Sequence, residues 1–121
     1  MSTSTRRQLS FSRYPHRTDA DIQAEFDDLM LRACDGDPLA VAAAYVGFGP
    51  VLLREARSVM GPFKQDAEDV VQDFFDAVLA GRAVYEPSEG HATHWMRGLI
   101  RAIARTYCKE REREWDIESE P

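Results

Sequence analysis

Two rows of side chains in this sequence have types and spacings that suit chemistry with a partner. Asp69, Gln72, Asp73 and Asp76, with Glu68 just ahead of them, recur at three- and four-residue steps. That spacing places them along one face of a helix. No Lys or Arg interrupts the stretch from Asp66 to Leu79. An ordinary solvated face is laced with both signs, so an unbroken acidic row fits a basic partner surface. The second row is Arg97, Arg101, Arg105 and Lys109, one cation every fourth residue. No acid lies between Glu89 and Glu110, so this row lacks the intrahelical partners that usually neutralise such a face. Cations spaced about 6 Å apart along a helix suit a phosphate backbone. Trp95 stands at the start of the basic row, where a ring could stack on unpaired bases, although its spacing also fits a core position.

Catalysis finds little support. The chain has no Gly-rich phosphate loop, and no Ser or Cys lies in a context that would activate it, so no enzymatic activity is expected. His91-x-x-His94 could set two imidazoles on adjacent turns, with Cys108 or Glu89 as further ligands. A closed structural zinc site needs four ligands and His91 precedes the helix, so neither metal nor cofactor is expected. Cys34 and Cys108 stand alone without redox or metal spacing, which fits small buried side chains in a reducing cytoplasm.

A chain of 121 residues, 44% hydrophobic and 30% charged, matches one globular domain. No apolar run is read as reaching membrane-spanning length, so no membrane partner is expected. The N-terminal residues carry Arg without an apolar segment, unlike a secretory signal. The net charge of −6 conceals alternating blocks: +4 over residues 1–17, −10 over 18–93, +4 over 94–113 and −4 from Glu114 onward. An acidic total argues against a general nucleic-acid binder. Screening makes charge local over about 10 Å, so the basic block can still meet phosphates.

The elements that must position these rows are helices. Residues 1–17, rich in Ser, Thr and Arg, read as a flexible basic tail. Ile22, Phe26, Leu29, Met30 and Ala33 form the first helix stripe, which Gly36 stops. Asp37-Pro38 starts a second helix, with Leu39, Ala42, Ala43 and Val46 as its first apolar face. Gly47, Gly49 and Pro50 are expected to break or kink that helix, which resumes through Leu52, Leu53, Ala56, Val59 and Met60. In the central helix Asp66 is the expected N-cap, Val70, Val71, Phe74, Val78 and Leu79 the buried stripe, and Gly81 the stop. A loop follows, and Thr93 is the expected cap of the last helix, with Trp95, Leu99, Ala102, Ile103 and Thr106 as its apolar stripe. From Lys109 the sequence KEREREW alternates sign, so the helix is expected to fray into an acidic tail over 114–121. No strand-like alternation appears. The expected fold is all-α: a four-helix bundle over residues 18–113 with flexible N- and C-terminal tails.

Several of these stretches, in this order, resemble the second conserved region of bacterial sigma factors, the initiation subunits of RNA polymerase. GDPLAVAAAYVGFGPVLLREARSVMG resembles that region's opening helix, and DAEDVVQDFF is similar to the polymerase-binding helix of the extracytoplasmic-function group. YEPSEG resembles the loop that follows, and HATHWMRGLIRAIAR resembles the promoter-melting helix. The resemblance covers about residues 36–113. It implies a transcription initiation factor whose acidic face, Glu68, Asp69, Gln72, Asp73 and Asp76, binds the clamp helices of the largest subunit of core RNA polymerase. It also implies promoter contacts around the minus-ten element by His91, His94, Trp95, Arg97, Arg101, Arg105 and Lys109, with Trp95 in the second place of the melting Trp pair. An anti-sigma factor is a further implied partner.

The sequence also departs from that pattern. His94 replaces the first Trp of the pair, and His91 replaces the aromatic that stacks on the flipped base. Gly98 occupies the place of a base-reading Gln, and Ala102 that of an Asn common in the extracytoplasmic-function group. No fourth-region helix-turn-helix appears before Pro121, which leaves open a fragment or a free-standing second-region protein. The departures keep a second reading open: a sigma-like interaction module that binds polymerase or a sigma antagonist without opening DNA. A third is an unrelated helical adaptor.

Overall fold

The computed structural model describes residues 18–119, and every regular element among them is helical. The expected basic tail, residues 1–17, lies outside the described residues. Helix α1 (Asp19–Cys34) starts on Thr18, whose hydroxyl accepts the Asp21 N–H while the Asp21 carboxylate accepts the Thr18 N–H. This reciprocal pair satisfies donors that a first turn otherwise leaves open. The helix ends on Gly36 at φ 90°, where the Asp37 N–H reaches the Arg32 carbonyl and the Gly36 N–H reaches that of Ala33. Only glycine takes that backbone angle without strain. Asp37 then caps α2 (Pro38–Met60) by accepting from the Leu39 and Ala40 N–H groups, with Pro38 in the first helical position.

Helix α2 does not break at Gly47, Gly49 or Pro50; the helical run continues through all three. Pro50 supplies no donor to the Val46 carbonyl, so the cost falls on one hydrogen bond and not on the whole element. A 3₁₀ stretch (Gly61–Asp66) leads directly into α3 (Ala67–Leu79). No non-helical residue separates them, so Pro38–Leu79 counts either as one continuous path or as two α-helices joined by a turn. That path is long and apolar enough to cross a membrane by length and composition, contrary to the reading from sequence. Its apolar side chains divide between a buried stripe and an exposed patch.

Helix α3 ends on Gly81 as α1 ends on Gly36, with the Arg82 N–H 2.8 Å from the Ala77 carbonyl. Asp66, the expected N-cap, makes no capping hydrogen bond through its side chain; its carboxylate accepts the Tyr107 hydroxyl at 2.8 Å instead. Helix α4 (Ala92–Ser119) starts one residue ahead of the expected Thr93 cap. It also does not fray at Lys109. It continues to Ser119, and the Trp115 ring packs 4.7 Å from that of Phe63.

The core forms along one line of α2. Ala40, Ala44, Phe48, Leu52, Ala56 and Met60 are buried at four-residue steps. They meet Met30 and Ala33 of α1, the Val70, Phe74 and Val78 face of α3, and Met96, Ile100 and Ala104 of α4. Phe26 and Phe48 lock α1 to α2 edge-on at 4.9 Å. Leu39 and Val46, expected on the buried face, are 82% and 77% exposed, and Ala42 and Ala43 are exposed with them. Ala102 and Thr106 of α4 and Leu79 of α3 are likewise exposed, while Phe75 is buried.

Candidate functional site

Glu68, Asp69, Gln72, Asp73 and Asp76 all lie exposed along α3, where their spacing places them. Among the described residues none of the four acids makes an ion pair. The row has one internal contact, from Gln72 Nε2 to Asp76 Oδ1 at 3.1 Å. Burial pushes the Asp73 carboxyl above its ordinary value, and the like charges of Asp76 and Asp69 push the same way. Asp73 sits at the α4 side of the row, lining a crevice of about 280 Å³ with Ile103, Thr106, Tyr107 and Glu110. Glu68 sits at the α2 side, on a groove of about 420 Å³ with Tyr45, Val46, Pro50, Leu53 and Val71. The acidic row therefore meets, at Glu68, an apolar groove that includes the exposed Val46. Exposed apolar area rimmed by charge is the anatomy of a protein interface.

The residues expected to meet DNA are placed differently. Asp27 of α1 accepts the Ala92 N–H at 2.7 Å and contacts His91 Nδ1 at 2.8 Å, so an acid from another helix caps α4. Burial alone would raise the Asp27 carboxyl, but the Ala92 N–H and the His91 ring outweigh it and hold the group below its ordinary value. Thr93 is engaged with Gln23 Oε1 at 3.3 Å instead of capping. Trp95 is half-buried, its ring 5.8 Å from Phe74 and 5.6 Å from Tyr85. Tyr85 is itself buried and donates to the Gly90 carbonyl at 2.6 Å, which fastens the loop before α4. His94 is exposed.

The basic row does not stand alone. Glu55 of α2, 14% exposed at its side chain, meets Arg97 Nη2 and Arg101 Nη1, each at 2.8 Å. The two guanidiniums lack intrahelical partners, as read from sequence, but have an interhelical one. Arg105 and Lys109 are exposed and make no ion pair among the described residues.

No three His, Cys, Asp or Glu side chains gather as a metal site would need, among the described residues. Cys34 and Cys108 point their sulfurs at the carbonyls of Ala83 and Met60, each at 3.6 Å. Burial pushes both thiols up, which disfavours the reactive thiolate. The Tyr107 hydroxyl is pushed up to about 12, by its hydrogen bond to Asp66 first and burial second.

Comparison with known proteins adds nothing to this geometry: no protein-family model, no curated protein and no solved structure matches the chain.

Asp27 and Glu55 are the residues that reading the sequence did not find. Both act across a separation of more than forty residues, and their one local signal is an acid on an otherwise half-apolar helix face.

Proposed function

We propose that this chain is a sigma-type second-region domain, a four-helix bundle without catalytic activity. It docks on the clamp helices of core RNA polymerase in the cytoplasm and engages promoter DNA around the minus-ten element. The observation that carries the reading is the acidic row of α3: five exposed polar side chains, no cation paired to the four acids among the described residues, and an apolar groove beside Glu68. Like charges left side by side cost stability, so a partner that neutralises them gains accordingly. A basic helical hairpin suits both the row and the groove. An anti-sigma factor would compete for the same face. On the DNA side, Arg105 and Lys109 are the cations of the row that make no ion pair among the described residues.

The test is co-purification with core polymerase. Asp69→Lys combined with Asp73→Lys should abolish association while the helical circular-dichroism signal stays unchanged. A folded double variant that still co-purifies at the wild-type level would remove the assignment.

A specific observation also favours the second reading, an interaction module that does not open DNA. Trp95 packs against Phe74 and Tyr85, His91 is engaged by Asp27, and Glu55 holds Arg97 and Arg101. Permanganate reactivity of promoter thymines in the polymerase-bound complex separates the two. Reactive thymines support opening, and their absence supports docking alone.

A further inference from the structure

The acidic stretch from residue 18 to residue 93 holds only five basic side chains: Arg32, Arg54, Arg57, Lys64 and Arg82. Three of these five converge on one surface concavity of about 640 Å³ where α2 meets the 3₁₀ stretch. It is lined by Arg54, Arg57, Ser58, Lys64 and Gln65, every one of them exposed. Elsewhere in this stretch, Arg32 is paired with Asp28 at 3.0 Å. Among the described residues, Arg54, Arg57 and Lys64 make no ion pair. The dipole of α2 favours a cation such as Arg57 in the last turn, but it does not account for three. Like charges held together on a surface repel one another unless an anion lies between them.

We propose that this concavity binds the backbone phosphates of a nucleic-acid strand. Its lining supplies donors of the kinds that most often meet phosphate oxygens: two guanidiniums, an ammonium and an amide, while the Ser58 hydroxyl donates to the Glu55 carbonyl at 2.6 Å. Arg54 and Arg57 lie three residues apart on one helix face, with Cβ atoms about 5–6 Å from each other. The concavity is open and its walls are exposed side chains, unlike the pockets that bury most of a small-molecule ligand. A strand passing over it needs no enclosure. Ser58 of the lining lies three residues beyond Glu55, on the same side of α2, and Glu55 in turn holds Arg97 and Arg101 of α4. The inference stands on this geometry and needs no polymerase, so it can fail while the docking reading stands, and the reverse.

The experiment uses the full chain without polymerase. Binding of a fluorescein-labelled single-stranded DNA of mixed sequence is followed by anisotropy across a salt series. Arg54→Ala, Arg57→Ala and Lys64→Ala together should weaken binding by about tenfold or more at low salt. The slope of log affinity against log salt should fall by about 2, since each single-strand phosphate contact contributes about 0.7. Wild-type affinity and slope in the folded triple variant would overturn the proposal. So would an equal loss of binding to polyglutamate, which would make the concavity an unselective cation patch. Saturable binding of inorganic phosphate at the same residues, with DNA binding unaffected by the triple substitution, would reassign it to a small anion.

Discussion

The acidic face of α3 and the basic row of α4 look like mirror images in the sequence, and the fold treats them differently. On α3 the four acids make no ion pair among the described residues, and Asp73 is held above its ordinary value by burial and by its acidic neighbours against the opposing charge of Arg82. At the start of α4 the residues expected to meet DNA, with the first half of the basic row, are tied into the molecule: His91 to Asp27, Trp95 to Phe74 and Tyr85, Arg97 and Arg101 to Glu55. Charge used to join helices lowers the energy of the fold, and it is then not free for a partner. Charge left unpaired works against the fold and is what a partner can still use. By that criterion α3 carries the stronger functional signal, and among the described residues the cations without an ion pair include Arg105 and Lys109 of α4, Arg54 and Arg57 at the end of α2, Lys64 of the 3₁₀ stretch, and Arg82.

The sharpest way to break the comparison is to detach the start of α4. Asp27→Ala leaves the Ala92 N–H without an acceptor in a residue that is fully buried. An unsatisfied buried donor costs about 1–3 kcal/mol. A loss near 2 kcal/mol should lower the midpoint of thermal unfolding by roughly 10 °C in a domain of this size. The pH dependence has a definite sign. The folded-state value of Asp27 lies below its ordinary one, so its contribution is fully present above about pH 4 and is lost as pH falls through the folded value. Wild-type stability should therefore fall faster with acid than that of Asp27→Asn. Equal thermal midpoints for wild type and Asp27→Ala would mean that α4 is not anchored there.

What the sequence shows and hides follows the range of the interactions involved. Gly36, Asp37-Pro38 and Gly81 act within one turn, so the helix starts and stops at those points are legible, whereas the Thr18–Asp21 pair that starts α1 is local but goes unread in the sequence. The register of the first half of α2 is not. LAVAAAYV is apolar on nearly every side, so periodicity cannot choose a face, and packing against Phe26 and Met30 selects Ala40, Ala44 and Phe48. The acidic row is legible because, among the described residues, no ion pair ties it to another element. Asp66, Asp27 and Glu55 are misread or missed because their partners are Tyr107, Ala92 and Arg97, on helices far along the chain. The end of α4 is misread for a similar reason: alternating charges suggest fraying, and Trp115 on Phe63 holds it.

A middle-sized effect sharpens the contrast from the basic side. Glu55→Gln keeps the size of the side chain and removes the charge that Arg97 and Arg101 share. Ion pairs whose cations are about half-exposed are worth up to about 1 kcal/mol, so stability should change little. DNA affinity should rise several-fold, with a salt slope steeper by up to about 2 as two guanidiniums become available. Anisotropy with labelled DNA checks this beside a denaturation curve. If affinity stays at the wild-type value, Arg97 and Arg101 serve the fold alone.

The smallest effect tests whether the acidic row is under strain. Asp73 faces Asp69 at i−4 and Asp76 at i+3, and like charges at those spacings each cost about 0.2–0.5 kcal/mol on a helix. Its folded-state value is raised, so folding favours the protonated carboxyl. The penalty is absent in strong acid and appears as pH rises through the folded value. Asp73→Asn should therefore be slightly more stable than wild type at pH 7, seen as a higher urea midpoint with an unchanged slope, and the two proteins should converge near pH 2. The same substitution should weaken polymerase association and flatten its salt dependence, because it removes one charge from the docking rim. Stability and binding moving in opposite directions is the outcome that distinguishes a face kept for a partner from an ordinary wet surface. If Asp73→Asn is no more stable than wild type at pH 7, the row is relaxed, and α3 loses the feature that sets it apart from α4.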